Sequence, residues 1–539
     1  MYIAIMPNKI KFNKQTKIKA PIVEALKAAY NNPTYQFHIP GHTKGLGTLP
    51  AFRNLIGKKA LMVDTTDEFD NLGTLTPATG PIKEAQELAA QAFGAKKTFF
   101  LINGSTIGNL AIAMGLTKKG QKVIVNRNCH RSILTGLIIS GAEPLWVIPE
   151  KFSDWGLWGN IDANSIEKLL KENDDVSAVW ITNPTYEGVV SDVKSISTIC
   201  KKYNVPLIVD EAHGCLWNFN EKLPETSLKL GADIVVHSLH KTGGSMSQSS
   251  MLHISKDSKI NAEDVERSLM LLHTTSPSLM LLGSLDAARA NLQSQRGQKQ
   301  LARAISNAKF LRTEIDKMDS IHQLKSDFGY KTDVTKIFIK ADGLSGKRLE
   351  SILEIDFGIE VESASDEGIL ILSNIGNKRS DFEYLVNCLK KIDTHDYKDI
   401  YYLENKKHMP MLTPIIKKNL REAYFSEKEI IPKKEENNSD NKIPEETIIK
   451  DEDIAVSKDK ITIIDESKDT ACASAIEYYY EDNNYKYYFT CIKSGSIFVI
   501  VDGKKYNIKE ALNNKVVTMA ELESNGFKPL KEEKNLQKY

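Results

Sequence analysis

Between about residue 80 and residue 255 the apolar positions alternate between two rhythms, one helical and one extended. Thr79-Gly80-Pro81 opens the first helix with proline in its first turn. Ile82, Ala85, Leu88, Ala89 and Phe93 then fall on one face, and Gly94 stops the helix. The next apolar run, Thr98-Phe99-Phe100-Leu101-Ile102, is too short for a helix and runs into Asn103-Gly104. That pattern predicts a buried strand ending in a turn. Further strands are expected at Lys122–Val125, Leu145–Ile148, Ala178–Thr182, Pro206–Val209 and Asp233–Val236, with helical patterns near 165–172 and 192–202. Alternation of this kind predicts an α/β domain built on a mainly parallel sheet.

Past about residue 282 the pattern changes. A long helical stretch, Gly283 to Met318, reads as a bridge to a second lobe. Thr335–Ile339, Leu349–Ile355, Ile359–Glu362, Ile369–Leu372 and Phe382–Ile392 then read strand, helix, strand, strand, helix, a small α+β lobe. From about 427 the chain turns to Lys, Glu, Asp and Asn with almost no aromatic residue, which predicts a disordered linker over 427–468. Aromatic residues return in 469–539, with Tyr478-Tyr479-Tyr480, Tyr485, Tyr487-Tyr488-Phe489, the run Ile497–Val501 and the turn Asp502-Gly503. The expected organisation is a large domain over 1–282, the bridge and small lobe over 283–426, the linker, and a small separate α+β module.

Composition narrows the function classes. A chain of 539 residues is long enough for two or three domains, and 41% hydrophobic with 26% charged residues is ordinary for a globular protein. A formal net charge of +1 argues against nucleic acid or a membrane surface as a partner held by bulk charge. No apolar run approaches the roughly 18 residues that span a bilayer, and Met1–Lys19 lacks a signal-type apolar core. The six cysteines are scattered without CxxC pairs or zinc spacing, so free thiols in a reducing, cytoplasmic compartment are expected and no metal site.

The candidate chemistry gathers at the ends of the expected strands. Ser238-Leu239-His240-Lys241-Thr242 follows one apolar strand, and Asp210-Glu211-Ala212-His213-Gly214 closes another 31 residues upstream. Open α/β sheets bind ligands at that carboxyl edge. An acid that protonates a pyridine nitrogen and a lysine that forms an imine are what pyridoxal phosphate (PLP) chemistry requires. Either residue alone is also what an ordinary sheet edge carries; the ordered pair is the signal. Asn103-Gly104-Ser105-Thr106, a glycine turn with two hydroxyls before a helix, reads by itself as a plain helix cap sooner than as a phosphate cradle. His38 and His42 are four apart, but Pro40-Gly41 between them rules out a helical zinc motif, leaving a structural or substrate-entrance role. Gly343-Leu344-Ser345-Gly346-Lys347 lacks P-loop spacing and reads as a loop that starts a helix.

Taken together, the Asn103, Asp210 and Ser238 segments, Arg127-Asn128-Cys129-His130-Arg131-Ser132 and Pro184-Thr185-Tyr186-Glu187-Gly188 resemble the ornithine/lysine/arginine decarboxylase family. His38-Ile39-Pro40-Gly41-His42, Asp67-Glu68-Phe69-Asp70-Asn71-Leu72 and Thr274-Thr275-Ser276-Pro277-Ser278 agree with it, and the likeness covers roughly residues 20 to 426, closest in layout to the short arginine-decarboxylase-like members. The resemblance implies the PLP fold type I, that of aspartate aminotransferase, with a seven-stranded-type sheet, and decarboxylation of arginine, lysine or ornithine to the amine, a polyamine-related reaction. By the same resemblance Lys241 holds the cofactor as an imine, Asp210 pairs with its ring nitrogen, His130 stacks on one ring face and Ala212 on the other. Ser105, Thr106, Ser238 and His240 hold the phosphate, and Gly104 and His213 complete the cofactor set. Thr275 lies near the cofactor of a second subunit, so a homodimer or higher assembly is implied. The acidic run at Asp67-Glu68-Asp70 offers a partner for a substrate's distal cation, or a solvated loop. The sequence departs from the family at Thr43, where a lysine is usual, and after Arg421-Glu422-Ala423-Tyr424-Phe425, where the family's Tyr-Pro-Pro-Gly-Ile-Pro segment has no counterpart. The lysine–aspartate pair also serves aminotransfer and elimination, and a PLP-binding protein with reduced catalysis.

Overall fold

The computed structural model describes residues 18–31, 35–65, 71–326, 331–393 and 419–425, together with the course of strands between 462 and 533. Contacts divide the chain into two compact units, Met1–Glu427 and Lys428–Tyr539.

In the first unit, helix α1 (Pro21–Asn31) and two short helices, Pro50–Ile56 and Lys58–Val63, precede α2 (Gly80–Phe93). Gly94 ends α2 in the left-handed region, φ 75°, where its N–H reaches the carbonyls of Ala90 and Gln91. Strands and helices then alternate: β1 (Ala95–Leu101), α3 (Gly104–Leu116), β2 (Lys122–Asn126), α4 (Arg131–Ser140) and β3 (Glu143–Val147). They continue through α5 (Ala163–Glu172), β4 (Val176–Thr182), α6 (Val193–Lys202), β5 (Leu207–Asp210), β6 (Ile234–His237) and β7 (Ser250–Ser255). The seven strands lie in the order β1-β7-β6-β5-β4-β2-β3. From β6 to β3 every pairing is parallel, whereas β7 runs antiparallel to both β1 and β6.

Side chains alternate across this sheet as the pleat demands. Ile124, Val179, Ile181, Val209 and Val235 enter the core on one face. Val123, Val125, Ala178, Trp180, Ile208, Ile234 and Val236 enter the core on the other. Helices cover both faces, so the central strands read as continuous apolar runs. The parallel strands all end at one edge, at Asn126, Val147, Thr182, Asp210 and His237.

Three expectations for the first unit are corrected. Strand β7 was not anticipated, because Ser250-Met-Leu-His-Ile-Ser255 mixes polar and apolar residues although it is fully buried. The expected bridging helix over Gly283–Met318 is two helices, α7 (Leu279–Gln293) and α8 (Gln295–Ile315). Ser294 breaks it by capping α8, its Oγ accepting from Gly297 N at 3.0 Å, and Gly297 sits so close that a Cβ there would meet Asn291 O at 1.8 Å. In the small lobe, β8 (Ile321–Gln323), β9 (Lys336–Ala341), β10 (Ser363–Ala364) and β11 (Ile369–Leu372) form a sheet ordered β8-β9-β11-β10, packed with α9 (Gly346–Phe357) and α10 (Arg379–Asp393). Ile359–Glu362, expected as a strand, is instead the connection after α9, because Gly358 caps the helix at φ 64° and Ile359 N bonds back to Leu353 O at 2.8 Å. Ser345 caps α9, as the helix-starting reading of its loop requires.

In the second unit, β12 (Thr462–Asp465), β13 (Ile476–Glu481), β14 (Tyr485–Cys491), β15 (Ile497–Val501), β16 (Lys504–Asn507) and β17 (Leu530–Glu533) form two antiparallel sheets, β12-β15-β16 and β13-β14-β17. Strand β12 lies inside the stretch 427–468 read as linker: the β-branched run Thr462-Ile463-Ile464 outweighs its charged surroundings. The rest of that stretch, the turn Asp502-Gly503 and the acidic run Asp67–Asp70 lie outside the described residues.

Candidate functional site

The carboxyl edge of β5 carries Asp210, 2% exposed. Its Oδ1 accepts from Ala212 N at 3.2 Å and its Oδ2 from Asn109 Nδ2 at 3.0 Å. Asn109 is fully buried on α3, one helical turn beyond Ser105, and its amide also donates to Ser132 Oγ at 2.8 Å. Ser132 Oγ in turn stands 2.7 Å from His130 Nδ1, the side chain that caps α4. With Ser132 N also donating to Nδ1 at 3.2 Å, this nitrogen is the acceptor and the ring proton sits on Nε2. One line of hydrogen bonds therefore joins Asp210, Asn109, Ser132 and His130. Burial lowers the His130 pKa, and the Asp210 charge works against that shift.

Lys241 reaches the same site from the short helical turn Leu239–Thr242 after β6. Its Nζ lies 2.8 Å from His213 Nε2. Burial pulls the Lys241 pKa below the usual lysine range, while Asp210 and Glu362 pull the other way. His213 is buried, and burial together with the charges of Lys336 and Lys241 holds its imidazole well below the usual range. The ring is therefore neutral, and Lys241 donates to it. Tyr186 packs edge-on against His213, centroids 5.1 Å apart, and its hydroxyl donates to Glu362 Oε1 at 2.7 Å.

The phosphate candidates lie where α3 begins. Ser105 is buried in its first turn and Thr106 exposed beside it. Gly104, φ 70°, donates its N–H to Gln248 O at 2.7 Å, and a Cβ there would meet nothing within 4 Å. The space beside it at this helix N-terminus is therefore open, and helix N-termini are where phosphates bind. Ser238 is buried, with Ser250 Oγ 3.4 Å away. His240 Nδ1 donates to Ser249 O at 2.9 Å, which leaves Nε2 as its outward acceptor. Ala212 is buried just past Asp210. Thr275 is exposed, on the turn after the helix Ala262–Leu272.

His42 serves its own loop, Nδ1 accepting from Gly45 N at 3.0 Å and Nε2 meeting Asp64 at 3.2 Å. Among the described residues no cluster of His, Cys, Asp or Glu is disposed to hold a metal ion, and no helix is long and apolar enough to cross a membrane.

The groups present fit PLP: a buried carboxylate with its donors fixed, a half-buried lysine within bonding reach of a neutral imidazole, and an open helix N-terminus flanked by hydroxyls. Asn109 was not anticipated. Its signal in the sequence was a lone amide four residues after Ser105 on a helix otherwise apolar on that face. Glu211 was quoted only as part of a motif, yet it is fully buried and accepts from Thr226 Oγ1, Ser227 N and His237 Nε2, each at 2.7 Å. It anchors the backbone beside Asp210 from the sheet's far face.

Fold and site together define a PLP-dependent enzyme of fold type I. Residues 20–339 match the model of the Orn/Lys/Arg decarboxylase major domain, and the chain belongs to that family. It is 35% identical over 425 residues to an arginine decarboxylase of Bacillus subtilis, an alignment covering 77% of this chain and 86% of the relative. Likeness to an arginine decarboxylase of Bacillus cereus is also 35%, covering 77% and 92%. Among solved structures, a lysine decarboxylase of Francisella novicida superposes with a TM-score of 0.63 at 21% identity, over 70% of this chain and 60% of that longer one.

Proposed function

We propose that this protein removes the α-carboxylate of a basic amino acid as carbon dioxide and leaves the corresponding amine. The observation that carries the reading is the meeting, at one sheet edge, of Lys241 bonded to His213 with Asp210 wired through Asn109 to Ser132 and His130. Membership of the family supports the reaction class. Two relatives that bear the name arginine decarboxylase make arginine the first substrate to test, with lysine and ornithine beside it.

Each residue then has a task. PLP, when bound, supplies the electron sink for the pair released as the carbon–carbon bond breaks. Lys241 Nζ would hold the cofactor covalently, and His213 Nε2 accepts a hydrogen from that nitrogen. The Asp210 carboxylate keeps a proton on the ring nitrogen, an interaction strengthened where water is excluded. Asn109 fixes the direction of that carboxylate. His130 and Ala212 would bracket the ring, and Gly104, Ser105, Thr106, Ser238 and His240 would hold the phosphate. A proton takes the place of the departed carboxylate on the α-carbon, so carbon dioxide and a polyamine-related amine are the only products.

A homodimer of C2 symmetry completes the site, with Thr275 near the partner's cofactor. Tyr35, Phe37, Leu46, Leu49 and Leu55 support this: all are large, apolar and mostly exposed, Phe37 at 98%. A second copy of the chain is the cover such a surface calls for. Unpaired Cys129, Cys200, Cys215 and Cys388 support a cytoplasmic setting. Incubating the purified protein and PLP with arginine, lysine and ornithine, and resolving the amines formed, tests the reading. One amine in excess is expected; a keto acid in place of any amine contradicts it.

A further inference from the structure

Lys336 is the most unusual charged residue outside the site just described. It opens β9 of the small lobe and is 2% exposed. Among the described residues it forms no ion pair with a carboxylate; its Nζ donates to a single carbonyl, Tyr186 O, at 2.7 Å. The same Nζ lies 5.4 Å from the Tyr186 ring centroid. Its methylenes lie against Gly188, where a Cβ would meet the Lys336 Cβ at 2.8 Å, and Gly188 itself is left-handed at φ 99°. The turn Thr185–Val189 is thus shaped around this lysine, closed by Thr185 N to Val189 O at 2.9 Å and Gly188 N to Thr185 O at 3.0 Å. The stretch before Lys336 binds the same turn, with Asp333 N donating to Gly188 O at 2.9 Å.

A buried ammonium with one carbonyl partner costs stability, and an apolar side chain of the same length removes that cost. Burial draws the Lys336 pKa down to about 8, with Asp333, Glu362 and Glu187 pulling upward and Lys241 downward. A position that keeps such a charge has a use for it. Tyr186, whose carbonyl it holds, is the residue that packs on His213, and His213 is the residue that bonds Lys241.

We infer that Lys336 is a positioning residue for the reactive lysine, its buried ammonium holding the Tyr186 carbonyl and so seating the Tyr186 ring on His213, the residue that bonds Lys241. This rests on the reading of Lys241 as the cofactor lysine. Tyr186 packs on the His213 ring and Lys241 bonds it, while the charges that act on it are those of Lys336, Lys241, His240 and His130, of which Lys336 alone comes from the small lobe.

The test uses the full-length PLP-loaded protein without substrate, reading cofactor affinity and the pH midpoint of the bound cofactor's absorbance. Lys336→Met keeps the packing on Gly188 and removes the charge. It is expected to bind PLP about tenfold more weakly, the cost of one lost charge-assisted hydrogen bond, and to move the midpoint to higher pH. Tyr186→Leu removes the ring and leaves the carbonyl, and is expected to weaken PLP to a similar degree. The double variant is expected to weaken PLP no further than Lys336→Met alone. Additive losses of affinity in the double variant, or an unmoved midpoint in a folded Lys336→Met protein, overturn the inference. Should Lys336→Met not fold, Tyr186→Leu decides alone, and unchanged affinity and midpoint in it overturn the inference. A wild-type protein that attaches no cofactor at Lys241 sinks the functional reading instead, which separates the two failures.

Discussion

Asn109 donates its side-chain amide to Asp210 across 3.0 Å, and the same nitrogen reaches Ser132 at 2.8 Å. A fully buried amide thus fixes both the carboxylate expected on the cofactor's ring nitrogen and the hydroxyl that orients His130.

The two residues separate charge from geometry. Asp210→Asn is expected to fold and bind PLP yet lose about two to three orders of magnitude in turnover, since an amide cannot hold a proton on the ring nitrogen. Asn109→Ala keeps the charge and loses its bearing, so a smaller fall of roughly tenfold is expected, with the loss in kcat rather than in KM. Steady-state kinetics on both variants checks the order; an Asn109→Ala defect as deep as that of Asp210→Asn contradicts it.

Lys336 gives the folded protein a signature at alkaline pH. Its pKa of 10.5 in the unfolded chain falls to about 8 in the fold, so across that window the unfolded state holds the proton and the native state does not. Stability from this group therefore rises with pH between about 8 and 10.5, by on the order of 3 kcal/mol, and below about 8 the buried ammonium is a constant cost. Denaturant midpoints of wild type and Lys336→Met, compared from pH 7 to 10, are expected to converge as pH rises. A constant difference across that range refutes the assignment.

The chain divides into its two units between residues 427 and 428. A chain ending at residue 427 retains every residue of the site and is expected to stay folded, take up PLP and keep activity close to that of the full chain. Size-exclusion mass and cofactor content of the truncated protein check this. Loss of cofactor or aggregation means instead that the tail stands in for the family segment missing after Phe425.

Much of this was legible in the sequence, and the exceptions have physical causes. The parallel strands announced themselves because burial on both faces demands uninterrupted apolar runs, as in Leu207-Ile208-Val209. Strand β7 did not, because its buried His253 bonds Thr98 on the neighbouring strand through Nδ1, at 2.8 Å, and a polar contact made across a sheet is invisible along a chain. The break at Ser294 was a cap hidden in good helix formers. Strand-end residues such as Asp210 and Lys241 were readable from their position after apolar runs. Asn109 and Lys336 were not, since each acts through partners about 100 to 150 residues away.

The most direct test of the whole account is release of labelled carbon dioxide from carboxyl-labelled arginine, lysine and ornithine, with the cofactor afterwards fixed by borohydride and its position mapped. The account expects carbon dioxide from one of the three in stoichiometric balance with its amine, the label on Lys241, and neither from Lys241→Ala. Carbon dioxide release that persists in Lys241→Ala, or cofactor fixed to any other residue, would contradict it.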